Sequence, residues 1–169
     1  MEKIGLQDYL LKKQTRELEK PVYRNLCTVC LHPEFSCYCP TIQTFDPKVQ
    51  FVILIHPIEF QRRIATGRMA HLILQNSTFV RGHDFSQDTI VNSILSDPQN
   101  HCVVLYPGYS SLNISEMRTN QKNIFPADKK LVVFVIDGTW ATARQMMRVS
   151  QHLRQVSQVC FTPKSKSNF

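Results

Sequence analysis

Four cysteines set close together, Cys27-x2-Cys30-x6-Cys37-x-Cys39, are the first residues whose types and spacing could do chemistry. Their loop carries Pro33 and Pro40 and almost no core-forming residues. Four thiolates complete the tetrahedral shell of Zn²⁺ and leave no coordination position open, which is the pattern of a structural rather than a catalytic site. The alternative use of the same residues is four unmetallated buried thiols. Free thiols crowded this densely are an oxidation liability, which favours the metal. His32 stands between the pairs and could replace one thiol, but the set is complete without it. Cys102 and Cys160 fall in apolar runs and read as core packing.

A second constellation sits at the ends of apolar runs. Asp137 follows six apolar residues and precedes Gly138, Thr139 and Trp140, so its carboxylate belongs at a sheet edge beside a helix N-terminus. An Asp there is either a helix cap or an acid–base group. Trp140, with Arg144 and Arg148 along the following helix, adds an aromatic plate and cations. Base stacking and phosphate contacts require those groups. Two other runs close on His56-Pro57 and on Leu105-Tyr106-Pro107-Gly108.

The elements that must position these residues follow from periodicity. Gln50 to His56, His101 to Tyr106 and Leu131 to Ile136 are continuous apolar runs, the pattern of strands buried on both faces. Between residues 60 and 75, Ala65, Met69, Leu72 and Ile73 share one face of a predicted helix, with Arg62, Arg63 and Arg68 elsewhere on its surface. A short strand over Thr78 to Arg81, an amphipathic helix near Gln87 to Leu95, a helix from the Asp137 turn to about residue 152, and a last strand over Val159 to Thr162 complete the pattern. Residues 1 to 20 are charged, with Leu10, Leu11 and Leu18 among them, and predict a helix or a mobile arm. The expected fold is α/β: a mostly parallel sheet with helices on both faces, plus the N-terminal four-cysteine loop. Ligands of such sheets bind beyond the carboxyl ends of the strands, so the three strand-end sequences are expected to converge on one crevice.

With 169 residues, the chain has the size of one ordinary domain and a small appendage, divided here as residues 1–47 and 48–169. Its net charge of +7 is compatible with a polyanionic partner. No basic head with an apolar core precedes a cleavage site, and no apolar run is long enough to span a bilayer. That predicts a soluble, cytoplasmic protein, in which cysteines serve as ligands or thiols rather than bridges. No surface stripe argues for or against self-association.

Taken together, these segments resemble the DTW-domain proteins, named for an Asp-x-Thr-Trp motif that stands here as Asp137-Gly138-Thr139-Trp140. The resemblance covers most of the chain. It includes the cysteine cluster, His56-Pro57-x-Glu59 followed by Arg63-x2-Thr66-Gly67, the Leu105-Tyr106-Pro107-Gly108 strand end, and Ala143-Arg144 after the Asp137 motif. It implies a fold related to the knotted SPOUT methyltransferases and the activity of a tRNA-uridine aminocarboxypropyltransferase. Such an enzyme moves the 3-amino-3-carboxypropyl group of S-adenosylmethionine to N3 of a uridine in tRNA and releases 5′-methylthioadenosine.

On that resemblance, Asp137 would be the base that takes the N3 proton, and Trp140 would stack on the uracil or the adenine while Thr139 hydrogen-bonds an edge of the same ring. The Tyr106-Pro107-Gly108 and Thr66-Gly67 backbones would line the donor pocket. Arg63 and Arg144 would hold either the methionine carboxylate or RNA phosphates, and His56 would be a site residue or a packed strand end. The chain departs from the family in having Ala65-Thr66 where Asn-Thr is common. The family pattern also continues past Phe169 with an arginine-bearing segment and a Leu-Ser-Thr-like strand end, of which Pro163 to Phe169 resembles the start. Two other functions fit the same residues: an S-adenosylmethionine-dependent RNA methyltransferase, and a non-catalytic zinc-containing RNA-binding module.

Overall fold

The computed structural model describes residues 7, 25–62, 64–117 and 125–163. Two compact units divide the chain, Met1–Tyr38 and Cys39–Phe169. In the first, a tight turn begins at Cys27, whose carbonyl accepts from Leu31 N at 2.9 Å while its own N–H donates to His32 O at 2.8 Å. Leu31 takes a left-handed conformation to close that turn, with φ of 60°. A one-turn 3₁₀ helix, Glu34–Ser36, leads on towards Cys37. The expected arm over residues 1 to 20 lies outside the described residues, apart from residue 7.

The second unit is built on six strands: β1 (Gln50–Ile55), β2 (Ser77–Arg81), β3 (Asn100–Leu105), β4 (Leu112–Asn113), β5 (Lys130–Asp137) and β6 (Ser157–Cys160). They form one sheet in the order β2-β1-β5-β3-β6-β4, and every pairing is parallel. The helices are α1 (Pro57–Phe60), α2 (Thr66–Ile73), α3 (Thr89–Ser96), α4 (Trp140–Val149) and α5 (Gln151–Gln155). No helix among the described residues is long and apolar enough to cross a membrane.

Register sorts the strand residues by face. Val52 pairs with Phe134 and Val104 pairs with Phe134, and these join Val132, Val91, Met146, Met147 and Leu153 in the main core, so α3, α4 and α5 cover that face. Phe51 and Ile53 pair with Val133 and Val135 on the other face, where Gly67 and Ala70 of α2, and Leu74 just after it, line the same cavity as Phe51 and Ile53. The expected arrangement of helices on both faces is what the chain adopts.

Several details differ from the sequence reading. Arg68, expected on the helix surface, is 5% exposed. It is buried because its guanidinium donates to the carbonyls of Phe60 and Arg62 and lies 5.2 Å from the Phe60 ring, so its charge is satisfied inside the fold. Met69, expected on the packed face, is exposed instead. The helix after Asp137 breaks at Ser150, whose buried hydroxyl accepts from Phe85 N at 3.1 Å and so ties the break to the loop before α3. The last strand starts two residues earlier than expected, and the polar loop after Gly108 contains β4.

Candidate functional site at the strand ends

All six strands run the same way, so their carboxyl ends meet at one edge of the sheet. At the β1/β5 seam the connections leave in opposite directions, from β1 through α1 and α2 to one face and from β5 through α4 and α5 to the other. Such a switch point leaves a crevice between two neighbouring strand ends. Asp137 ends β5 there, opposite Ile55 of β1, and its carbonyl accepts from His56 N at 3.0 Å.

The Asp137 carboxylate is held from outside its own element. Its Oδ2 accepts from Gly67 N at 3.0 Å and its Oδ1 from the Thr66 hydroxyl at 3.3 Å. The residue preceding α2, Ala65, supplies no capping side chain, so a carboxylate 70 residues away in sequence takes that place. The helix that follows Asp137 is capped instead by Thr139, whose hydroxyl accepts from Thr142 N at 3.3 Å. Gly67 is needed for the approach: a Cβ there would overlap Asp137 Oδ2 and stand 2.9 Å from Ile53 Cγ2. Asp137, Thr66 and Gly67 form the polar rim of a cavity of about 390 Å³ whose remaining wall is apolar, from Phe51, Ile53, Ala70, Leu74 and Val135.

The other expected site residues fall around this point in distinct settings. His56 is 8% exposed, accepts from Ile58 N through Nδ1 at 3.3 Å, and lies edge-on to His83 with ring centroids 5.6 Å apart. Burial, then the neighbouring His83, push its imidazole below the usual 6.5, with Glu59 acting in the opposite direction. It is packed at its strand end and caps α1, whose first residue is Pro57. Glu59 pairs with Arg62 at 3.3 Å through Oε2, while its buried Oε1 has no hydrogen-bond partner among the described residues. Glu59 stood out in sequence only through its place in the His56-Pro57-x-Glu59 motif, and Ser150 was indistinguishable from an ordinary polar residue. Arg63 lies outside the described residues.

At the end of β3, Leu105 pairs with Val159 of β6, and Tyr106 N donates to the same residue's carbonyl at 2.9 Å. Tyr106-Pro107-Gly108 is tied back by Ser111, whose hydroxyl donates to Tyr106 O at 2.6 Å and accepts from Gly108 N at 2.7 Å. Gly138 sits against Thr142, and Trp140 begins α4 with 68% of its surface exposed. Trp140 and Arg144 line a separate shallow groove of about 530 Å³ with Ala141, Gln145 and Arg148. Asp137 is thus brought together with Thr66 and Gly67 in one concavity, and Trp140 with Arg144 in another. A larger open depression of about 600 Å³ lies at the opposite end of β3, around Asn100 and His101, and none of the strand-end motifs reaches it.

In the cysteine loop, ligand atoms of Cys27, Cys30, Cys37 and Cys39 all lie within 4.8 Å of one another, and the group could hold a metal ion. Cys30 Sγ and Cys37 Sγ are 3.7 Å apart. Sulfurs at tetrahedral corners about 2.3 Å from a zinc ion would be separated by about 3.8 Å, so this pair already has the spacing of one tetrahedral edge. The Cys27 thiol is lowered from 9.0 to about 6, first by the backbone N–H of Cys30, then by that of Val29 and by the Cys37 side chain. Those donors favour thiolate, the form that binds metal. Cys102 behaves differently: burial raises its thiol, which donates to Ile94 O at 3.7 Å, consistent with packing.

An all-parallel α/β unit with a carboxylate held at its switch point and a four-thiol loop ahead of it defines the class. The family can be named as well: residues 24–169 match the DTW domain, and the chain belongs to the DTW-domain family. A Drosophila melanogaster protein named tRNA-uridine aminocarboxypropyltransferase 2 is 30% identical over 148 residues, covering 83% of this chain and 55% of that protein. Proteins of the same name from Mus musculus and Macaca fascicularis are 25% and 24% identical, each over 137 residues, covering 79% of this chain and 44% of each relative. The chain spans about half the length of the curated relatives it matches. No solved structure matches it.

Proposed function

We propose that this chain carries the transferase unit of a tRNA-uridine aminocarboxypropyltransferase, with S-adenosylmethionine as donor and N3 of a uridine as acceptor. The observation that carries the reading is the Asp137 carboxylate, fixed by Gly67 N and the Thr66 hydroxyl at the rim of a largely apolar cavity. Uridine N3 is protonated and a poor nucleophile while neutral. Asp137 Oδ2 is engaged by the helix amide, which leaves Oδ1, with its longer bond from Thr66, as the oxygen that takes the N3 proton. As the proton leaves, N3 attacks the terminal carbon of the aminocarboxypropyl chain. The carbon–sulfur bond breaks, and sulfur keeps the electron pair and departs as 5′-methylthioadenosine.

Three carbons on the sulfonium are electrophilic, so the outcome depends on which one is presented in line to N3. The fixed carboxylate supports this reading because it gives the acceptor a defined position against the donor. The cysteine loop holds Zn²⁺ through Cys27, Cys30, Cys37 and Cys39, closed to substrate and structural in role. The division into a cysteine segment over residues 1–47 and a transferase unit over 48–169, and a cytoplasmic location, belong to the same reading.

Unmodified tRNA incubated with S-adenosylmethionine and the protein, followed by mass spectrometry, tests it. Methylthioadenosine with an aminocarboxypropyl mass on a uridine is expected, and Asp137→Ala should abolish both. S-Adenosylhomocysteine would move the reading to methyl transfer. Salt-sensitive tRNA binding without either product would leave an RNA-binding module. Metal analysis should find one zinc per chain, lost on Cys30→Ser.

A further inference from the structure

The exposed face of α4 has no part in the cavity at Asp137. Ala143, Met146 and Met147 turn into the core, and the opposite side presents Trp140, Ala141, Arg144, Gln145 and Arg148 as one continuous groove. Trp140, Arg144 and Arg148 recur every four residues, so they stack along one stripe at intervals of about 6 Å. Neither arginine has an ion-pair or hydrogen-bond partner among the described residues. The sequence removes competition for them: residues 138–169 contain Arg144, Arg148, Arg154, Lys164 and Lys166 and no Asp or Glu. That stretch alone contributes five of the seven net positive charges.

We infer that this stripe of α4 is a docking track for single-stranded RNA, separate from the donor cavity, in which an unstacked base lies on Trp140 and successive phosphates meet Arg144 and Arg148. The inference rests on the tRNA reading above and assigns that RNA's contact surface. The exposed indole offers a face to any base, while the two guanidiniums, without a partner among the described residues, supply the fork that phosphate oxygens accept. Ala141 leaves room beside the indole, and Gln145 offers both a donor and an acceptor to a base edge. Duplex RNA does not fit the same chemistry, because its bases are already stacked on one another. The track therefore selects a loop or a frayed end. Of the alternatives left open for Trp140 (uracil or adenine) and Arg144 (methionine carboxylate or RNA phosphates), it takes the RNA for both.

Trp140 is the only tryptophan in the chain, so its emission reports this groove alone. A short single-stranded oligouridylate and unmodified tRNA should each quench it, a fully paired RNA duplex should quench far less, and S-adenosylmethionine alone should leave it unchanged. Trp140→Ala should weaken oligouridylate binding roughly tenfold or more. Arg148→Glu should lower the slope of log affinity against log salt by about one or more, without altering S-adenosylmethionine binding measured calorimetrically. Quenching by S-adenosylmethionine alone, or tRNA binding that neither quenches Trp140 nor responds to Arg148→Glu, overturns the track. If product forms while these readouts stay silent, the track fails and the transferase stands. If the readouts respond but no product forms, the transferase fails and the track stands.

Discussion

Substituting Gly67 by Ala tests the contact on which the site is built. Gly67 is the second residue of α2 and has no positive φ, so by helix propensity alone Ala would be favoured there by about 1 kcal/mol. The new methyl group, however, would overlap Asp137 Oδ2, stand 3.0 Å from Asp137 Cγ and stand 2.9 Å from Ile53 Cγ2. The carboxylate must then move and lose the amide of Gly67, a hydrogen bond to a charged acceptor worth about 1.5–3 kcal/mol. Crowding against Ile53 adds on the order of 1 kcal/mol. After the propensity gain, Gly67→Ala should destabilise the fold by about 1.5–3 kcal/mol. In an Asp137→Ala background only the Ile53 contact remains to oppose the propensity gain, so the same substitution should be close to neutral. A double-mutant cycle by urea denaturation, followed by circular dichroism, should therefore return a coupling of about 1.5–3 kcal/mol, the worth of the lost hydrogen bond. Additivity within roughly 0.5 kcal/mol, or a Gly67→Ala protein more stable than the parent, would refute the claim that this glycine exists to admit the Asp137 carboxylate.

Other consequences are open to the same kind of measurement. Ser150→Ala leaves Phe85 N buried without its acceptor and should cost about 1–3 kcal/mol, read as a lowered thermal midpoint. His56 and His71 are both held below 6.5 by burial, so the unfolded chain binds protons first on acidification. Their contribution to stability is complete above pH 6.5 and is lost as pH falls below it towards their folded values. Melting curves between roughly pH 5 and 8 should show that slope, and His71→Gln should reduce it. Leu31 closes the cysteine turn in a left-handed conformation that a β-branched side chain disfavours strongly. Leu31→Ile should weaken zinc retention against a chelator, whereas Leu31→Gly should keep it.

How far these features could be read in advance depended on whether they are local. Strands β1, β3 and β5 were legible because each is central enough to be apolar on both faces, and their residues alternate between two cores. Strand β6 was legible only in part: Ser157 and Gln158 begin it, and their polar side chains disguise a segment held by its ladder to β3. Strand β4, two residues within a polar loop, had no periodicity to show. The cysteine set was complete in sequence because its four thiols are neighbours in the chain.

The limit of sequence adjacency is clearest at Asp137 and Trp140. Three residues apart, they invite a single pocket, yet Asp137 shares a sheet face with Ile53 and Val135 while Trp140 opens the helix that covers the opposite face. A turn between a strand and its covering helix sends two near neighbours to two surfaces, and only the pleat, set by pairing with distant strands, decides which goes where. The converse holds for Asp137 and Gly67, which lie 70 residues apart and are joined by a 3.0 Å hydrogen bond. Nothing in their spacing announces that contact. What makes it possible is the departure of β1 and β5 towards opposite faces, which puts the first turn of α2, uncapped by its own preceding residue, directly in front of a strand-end carboxylate. The same topology that separates the aromatic groove from the carboxylate therefore creates the carboxylate's binding partner. An RNA lying on one surface and a donor bound at the other would have to meet across the β5–α4 turn, at Gly138 and Thr139.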